Sequence, residues 1–223
     1  MIAVTFALPA ESSDFARRLP ELRNKGINIF HTGVGAKACR ARLPDFLREA
    51  TYELVISAGF AGAVRDDLRA GDLLLAENFS DPHLLSVARR TLADRALHVA
   101  NLFTSPKVIN SPAERSSLAQ ASDAAAVDME TEVIAAECKA RGIPLLSLRV
   151  ISDTPSQPLP AAPDILFNVE QQQTEFSRLF VHLLRNPSAV PRLLRFARQV
   201  GEARARLANA LIALLQSDDL SVE

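Results

Sequence analysis

The chain has 223 residues, 48% of them hydrophobic and 23% charged, a composition that excludes intrinsic disorder and suits one α/β domain with a full core. The formal net charge is −1, so the chain as a whole has no electrostatic reason to bind nucleic acid or anionic lipid. Cys39 and Cys138 fall in no CxxC or Cys/His spacing; no metal site is expected, and both read as reduced, apolar core side chains.

Ile2 to Ala7 is a short apolar run with β-branched residues and predicts a buried strand. No basic segment precedes it, and Glu11 and Asp14 follow at once, so it does not read as a signal peptide. No run is long enough to span a membrane, and the expected location is the cytoplasm. Pro9 and Glu11 to Ser13 lead into a helix ending near Leu19. Ile27 to Phe30 predicts a second strand, which enters His31-Thr32-Gly33-Val34-Gly35 and then a helix from Ala36 to about Ala50. The two glycines suit a tight strand-to-helix turn.

Leu54 to Ser57 predicts a buried strand, followed by the small-residue segment Ala58-Gly59-Phe60-Ala61-Gly62. Gly71-Asp72 opens a strand over Leu73 to Ala76; a helix over Pro82 to Leu92 and a strand over Leu97 to Thr104 follow. Ser111-Pro112-Ala113-Glu114 carries a cap, a first-turn proline and an acidic first turn, which together start a helix. Ala124 to Val127 is a strand, Asp128-Met129-Glu130 leads into a helix closed by Gly142, and Pro144 to Ile151 is the last clear strand.

A Pro-rich loop follows Asp153, from Thr154 to Pro163. Beyond it the pattern is helical, with one helix from about Asn168 to Arg185 and another from about Pro191 to Gln216. In the second, Leu193, Ala197, Val200, Leu207, Leu211 and Leu215 form an amphipathic stripe, expected to pack on the chain's own domain or to make a dimer contact. The expected fold class is α/β, a three-layer α/β/α domain with a central twisted, mixed but mostly parallel sheet and a helical C-terminal tail. The whole of 1–223 is expected to form one domain, with 164–223 a helical extension packed on it.

Acidic residues end three of these strands or open the turns after them: Glu11, Glu130 and Asp153. Ligands of α/β proteins bind at such strand ends, but an acid there is also the usual helix cap, and spacing alone names no reaction. No GxSxG elbow, GxxxxGK[ST] loop or HExxH helix is present.

Motif order is more specific. Ala126-Val127-Asp128-Met129-Glu130-Thr131-Glu132-Val133-Ile134-Ala135 resembles the V-E/D-M-E-x-x-A/V-I-A signature of the nucleoside phosphorylase and nucleosidase superfamily. Gly142-Ile143-Pro144-Leu145-Leu146 and Arg149-Val150-Ile151-Ser152-Asp153 resemble its G-I-P-F-L and R-x-I-S-D. Ala7 to Glu11, Thr32 to Ala38, Ser57 to Val64 and Gly71 to Leu74 resemble further family segments, all in family order.

By these motifs the chain is most similar to methylthioadenosine/S-adenosylhomocysteine nucleosidases. The resemblance implies hydrolysis of the N-glycosidic bond of a purine nucleoside, with no cofactor, in a homo-oligomer, a dimer above other states. It implies that Asp153 lends a proton to purine N7 and that Glu11 orients the attacking water. Glu130 would hold the ribose hydroxyls. Met129, Ser57, Ala58, Gly59, Phe60, Val108, Ile109 and Ser152 would contact the substrate.

The sequence also departs from the family. Leu8-Pro9-Ala10-Glu11 replaces the phosphorylases' G-D-P-x-R, and no arginine precedes Ala58-Gly59, which favours water over phosphate as nucleophile. Phe60 stands where nucleosidases carry a small Ser or Thr, and the segment Glu77 to Leu84 is short. Alternatives are a phosphate-dependent phosphorylase, an adenosyl-hopanoid-type nucleosidase, and a nucleoside-binding protein without turnover.

Overall fold

Among the described residues, seven strands form where the apolar runs predict them: β1 (Ile2–Phe6), β2 (Ile27–His31), β3 (Leu54–Ala63), β4 (Leu73–Ala76), β5 (Leu97–Thr104), β6 (Ala124–Asp128) and β7 (Leu145–Asp153). The helices are α1 (Pro9–Arg18), α2 (Ala36–Phe46), α3 (Pro82–Thr91), α4 (Pro112–Ala121), α5 (Thr131–Arg141) and α6 (Val190–Gln216). The computed structural model describes residues 1–22, 25–159 and 190–220. The helix expected from about Asn168 to Arg185 lies outside the described residues.

The strand order is β2-β1-β3-β6-β5-β4-β7, and β3 pairs with β7 as well. Pairs β1–β2, β1–β3, β3–β7, β4–β5 and β5–β6 are parallel; β3–β6 and β4–β7 are antiparallel. The mixed, mostly parallel sheet is therefore as expected, but it also closes on itself: β3, β6, β5, β4 and β7 form a ring, with β1 and β2 continuing beyond β3. Closure depends on β3. The strand, expected to end at Ser57, continues through the small-residue segment to Ala63. Its register with β7 shifts between Ala61 and Gly62, and its last two residues turn to pair with β6. Small side chains and a bulge let a strand bend this sharply.

Apolar layers cover the sheet. Val4, Phe6, Ile56, Leu146 and Leu148 meet Phe15 of α1, Leu84 and Val87 of α3 and Leu207, Leu211 and Leu215 of α6. Ala3, Val55 and Leu145 meet Cys39 and Leu43 of α2 and Val133, Ile134 and Cys138 of α5. Both cysteines are free and buried, as expected, and burial pushes each thiol up to about 12. The amphipathic stripe of α6 divides. Leu207, Leu211 and Leu215 are buried, whereas Leu193, Ala197 and Val200 are not, and Leu194 on the same half is 66% exposed. The helix is further tied down by Arg204 Nε on Asp14, 2.7 Å away. Among the described residues no helix is long and apolar enough to cross a membrane.

Helix ends follow their sequence signals. Ser111 caps α4 by accepting from the Glu114 N–H at 3.1 Å. Gly142 closes α5 in the left-handed region at φ 65°. A Cβ placed on Gly142 meets nothing within 4 Å, so Gly142→Ala isolates the backbone cost. Urea unfolding should show a loss of about 1 kcal/mol; an unchanged midpoint would mean the turn relaxes freely.

Candidate active site

The C-terminal ends of β1, β3, β6 and β7 converge, and β1, β6 and β7 each lead to an acidic residue at one place. At the end of β1 the chain turns into α1, and Glu11 is the third residue of that helix. Its Oε2 accepts from the backbone N–H groups of Ala7 (3.0 Å) and Leu8 (3.4 Å). This is a capping arrangement at a helix N-terminus. Burial nevertheless dominates: it raises the Glu11 carboxyl to about 7, against backbone hydrogen bonds and the charge of Arg149, which pull it down.

Glu130 follows β6 and begins α5. Its Oε1 accepts from the Gly35 N–H at 2.6 Å. Gly35 has φ 86° at the start of α2, so the glycine turn after β2 positions this carboxylate. Burial, and then repulsion from Asp128, hold the Glu130 carboxyl well above the ordinary range. Asp128 itself is a buried anchor. It accepts from Thr104 Oγ1 (2.8 Å), the Thr131 N–H (3.1 Å) and hydroxyl, and Arg149 Nη2 (3.0 Å). Arg149 also donates to the Ser57 carbonyl (2.8 Å), Ser57 Oγ (2.7 Å) and Thr131 Oγ1 (2.5 Å). Its guanidinium is thus spent beneath the site.

Asp153 ends β7, buried among donors. Its Oδ1 accepts from Ser152 Oγ at 2.5 Å, and its Oδ2 accepts from Arg115 Nη2. Arg115 reaches it from α4 and is fixed by a second bond, Nη1 to the Ala63 carbonyl at 2.7 Å. The pair lies against Gly62, where a Cβ would come within 3.1 Å of Asp153 Oδ2 and 3.3 Å of Arg115 Nη2. A side chain there would require the pair to give way by a few tenths of an ångström.

Glu11, Glu130 and Asp153 line one cleft of about 160 Å³. Phe60, Val108, Ile109, Met129 and Ser152 line it too, so most of the residues named from the sequence come together. Ser57, Ala58 and Gly59 are placed differently. They border a small adjoining void of about 10 Å³ that shares Ala7, Glu11, Phe60 and Glu130 with the cleft, and the Ser57 hydroxyl accepts from Arg149. Val34, Lys107, Arg115 and Leu159 join the lining without having been named from the sequence. Arg115 is the notable omission. It looks like a surface arginine after a capping signal, yet it shares the inward face of α4 with Leu118 and Ala119, three and four residues on. That spacing was the available signal. Among the described residues no group of three or more His, Cys, Asp or Glu could hold a metal ion.

A family model described as "Phosphorylase superfamily" matches residues 76–185. No curated protein matches the chain in sequence. Its fold is shared with futalosine hydrolase of Helicobacter pylori strain 26695, at TM-score 0.70 and 16% identity, over 96% of each chain. It is shared equally with the 5′-methylthioadenosine/S-adenosylhomocysteine nucleosidase of Helicobacter pylori, at TM-score 0.70 and 17% identity, again over 96% of each chain. The Streptococcus pneumoniae MTA/SAH nucleosidase matches at TM-score 0.71 and 16% identity, over 96% of this chain and 98% of that one. The family-model match and the shared fold bear out the superfamily resemblance read from the motifs.

Proposed function

We propose that this chain hydrolyses the N-glycosidic bond of a purine nucleoside and releases the free base. The observation that carries the proposal is Glu11: a carboxyl raised to about 7 by burial, in one cleft with Glu130 and Asp153. A general base works best when its pKa lies near the working pH. Glu11 takes a proton from water as the water oxygen bonds to C1′, and Glu130 receives the sugar hydroxyls. The C1′–N9 electron pair leaves with the base, and Asp153 meets the base at N7 and mediates its protonation. An oxocarbenium-like transition state is served by a placed water and by help to the leaving group. Val108, Ile109, Phe60 and Met129 supply apolar walls.

Water is preferred to phosphate because the sugar end holds Glu11 and Glu130, while Arg149, the cation nearest them in charge effect, is buried and saturated. A phosphate placed there would meet two carboxyl groups. These groups suffice for the proton transfers, so the reaction is written without a cofactor.

The test is incubation with inosine, adenosine, methylthioadenosine and adenosylhomocysteine, with and without phosphate. Free base and free sugar should form in the absence of phosphate. Asp153→Asn should lower the rate by about 100-fold or more. Strict dependence on phosphate, or no base from any substrate, would sink the proposal.

A further inference from the structure

We infer that Asn110 is a positioning residue for the proposed reaction: it pins Leu159 beside Val108 and Ile109 and so completes an apolar wall against the purine ring. The inference rests on the N-glycosidic reading above and adds a residue that governs binding rather than bond cleavage.

The connection from β5 to α4 is fixed at both ends. At its start the Ser105 N–H donates to the Asp128 carbonyl at 2.8 Å, and Ser105 Oγ donates to the Lys107 carbonyl at 2.6 Å. At its end Ser111 caps α4. One turn further on, Arg115 is held by the Ala63 carbonyl and by Asp153. Val108 and Ile109 line the cleft from this frame, and Asn110 follows them in sequence.

The chain arriving from β7 is caught by this frame. After Asp153 it turns at Thr154 and Gln157, whose backbones exchange two hydrogen bonds of 3.1 Å. Pro155 and Pro158 have no N–H to give. The Leu159 N–H, just beyond them, donates to Asn110 Oδ1 at 3.1 Å. The partners are 49 positions apart, so the bond ties one loop to another and is not part of a local turn. Leu159 lines the same cleft as Val108, Ile109 and Asp153.

A site of this kind holds a flat ring between apolar side chains and orients it with a few polar groups. Such a wall helps most when it is ordered before the ligand arrives, because ordering a loop on binding subtracts from affinity. Asn110 supplies that order. Its bond goes to a backbone N–H and not to Glu11, Glu130 or Asp153, so it acts on ground state and transition state alike. Losing an interaction of that type raises KM and leaves kcat.

The test uses the full chain. For the nucleosides that the wild type cleaves, Asn110→Ala should raise KM by about 3- to 10-fold, the worth of one hydrogen bond, and change kcat by less than about twofold. Free hypoxanthine or adenine should bind more weakly by a similar factor in calorimetry, which needs no turnover. Asn110→Asp keeps an oxygen acceptor in the same place and should restore the wild-type values. The Leu159 amide should exchange its hydrogen slowly in the wild type and in Asn110→Asp, and faster in Asn110→Ala. Asn110→Ser, too short to reach Leu159, replaces Asn110→Ala if that variant does not fold. An unchanged KM, a loss in kcat instead, or Asn110→Asp no better than Asn110→Ala overturns this inference and leaves the hydrolase reading intact. A lower Tm without a change in KM means a merely structural bond and overturns it too. If the wild type cleaves no nucleoside and binds no base, the hydrolase reading falls and this inference with it.

Discussion

Glu11→Gln should lower kcat by about 100- to 10,000-fold, the usual contribution of a general base, while making the folded protein more stable above neutral pH. The opposite signs separate catalysis from structure. In the unfolded chain the Glu11 carboxyl ionises near 4.5; in the folded protein burial raises it to about 7. Below 4.5 it is protonated in both states and costs the fold nothing. As pH rises from 4.5 to 7 the unfolded state ionises first, so the fold loses stability, and above 7 the loss stays constant. Glutamine never ionises and escapes that loss. The residue faces a cleft and keeps some solvent, so we set the gain at pH 8 at on the order of 2 kcal/mol, below the full value of the shift. For a chain of this size that is a Tm higher by roughly 4–8 °C. Steady-state base release and thermal unfolding at pH 4.5 and pH 8 check both halves. Full activity in the variant would reduce Glu11 to the helix cap it also is.

Arg149→Met should cost about 3–5 kcal/mol, as expected when one partner of a buried ion pair is removed. The side chain is 3% exposed, and it joins β7 to Ser57 of β3, Asp128 of β6 and Thr131 of α5. Methionine leaves Asp128 charged in the interior and Ser57 unpaired. A domain of this kind has about 5–15 kcal/mol in total, so Tm should fall by roughly 6–20 °C. Adding Asp128→Asn should restore part of the loss, because it removes the orphaned charge and the two sites are coupled. A loss under 1 kcal/mol for Arg149→Met would show that water replaces the guanidinium and that the strand ends are held by other contacts.

These variants probe different kinds of information. Glu130 and Asp153 are legible in the sequence because they sit in long ordered motifs, and Glu11 because it follows the first strand. The strands and helices are legible too, since local patterns set them: the apolar runs of Ile2–Phe6 and Leu145–Asp153, the cap at Ser111, the left-handed stop at Gly142. These signals act over a few residues, and a linear reading captures them.

Arg115, Ser57 and the closed ring of strands belong to the tertiary structure. The acids near Arg115 in sequence, Glu114 and Asp123, are not its partner. Its partner Asp153 is 38 positions away and reaches it only because β3 bends at Ala61 and Gly62. Ser57 lies in the strand predicted for it, but its hydroxyl accepts from Arg149, so a residue expected to contact the substrate is engaged by the buried guanidinium. Local residue types determine elements, caps and motif acids because the interactions that form them are short-ranged in sequence. Long-range packing decides which charge neutralises which, because the pairing of buried charges depends on where the strands cross.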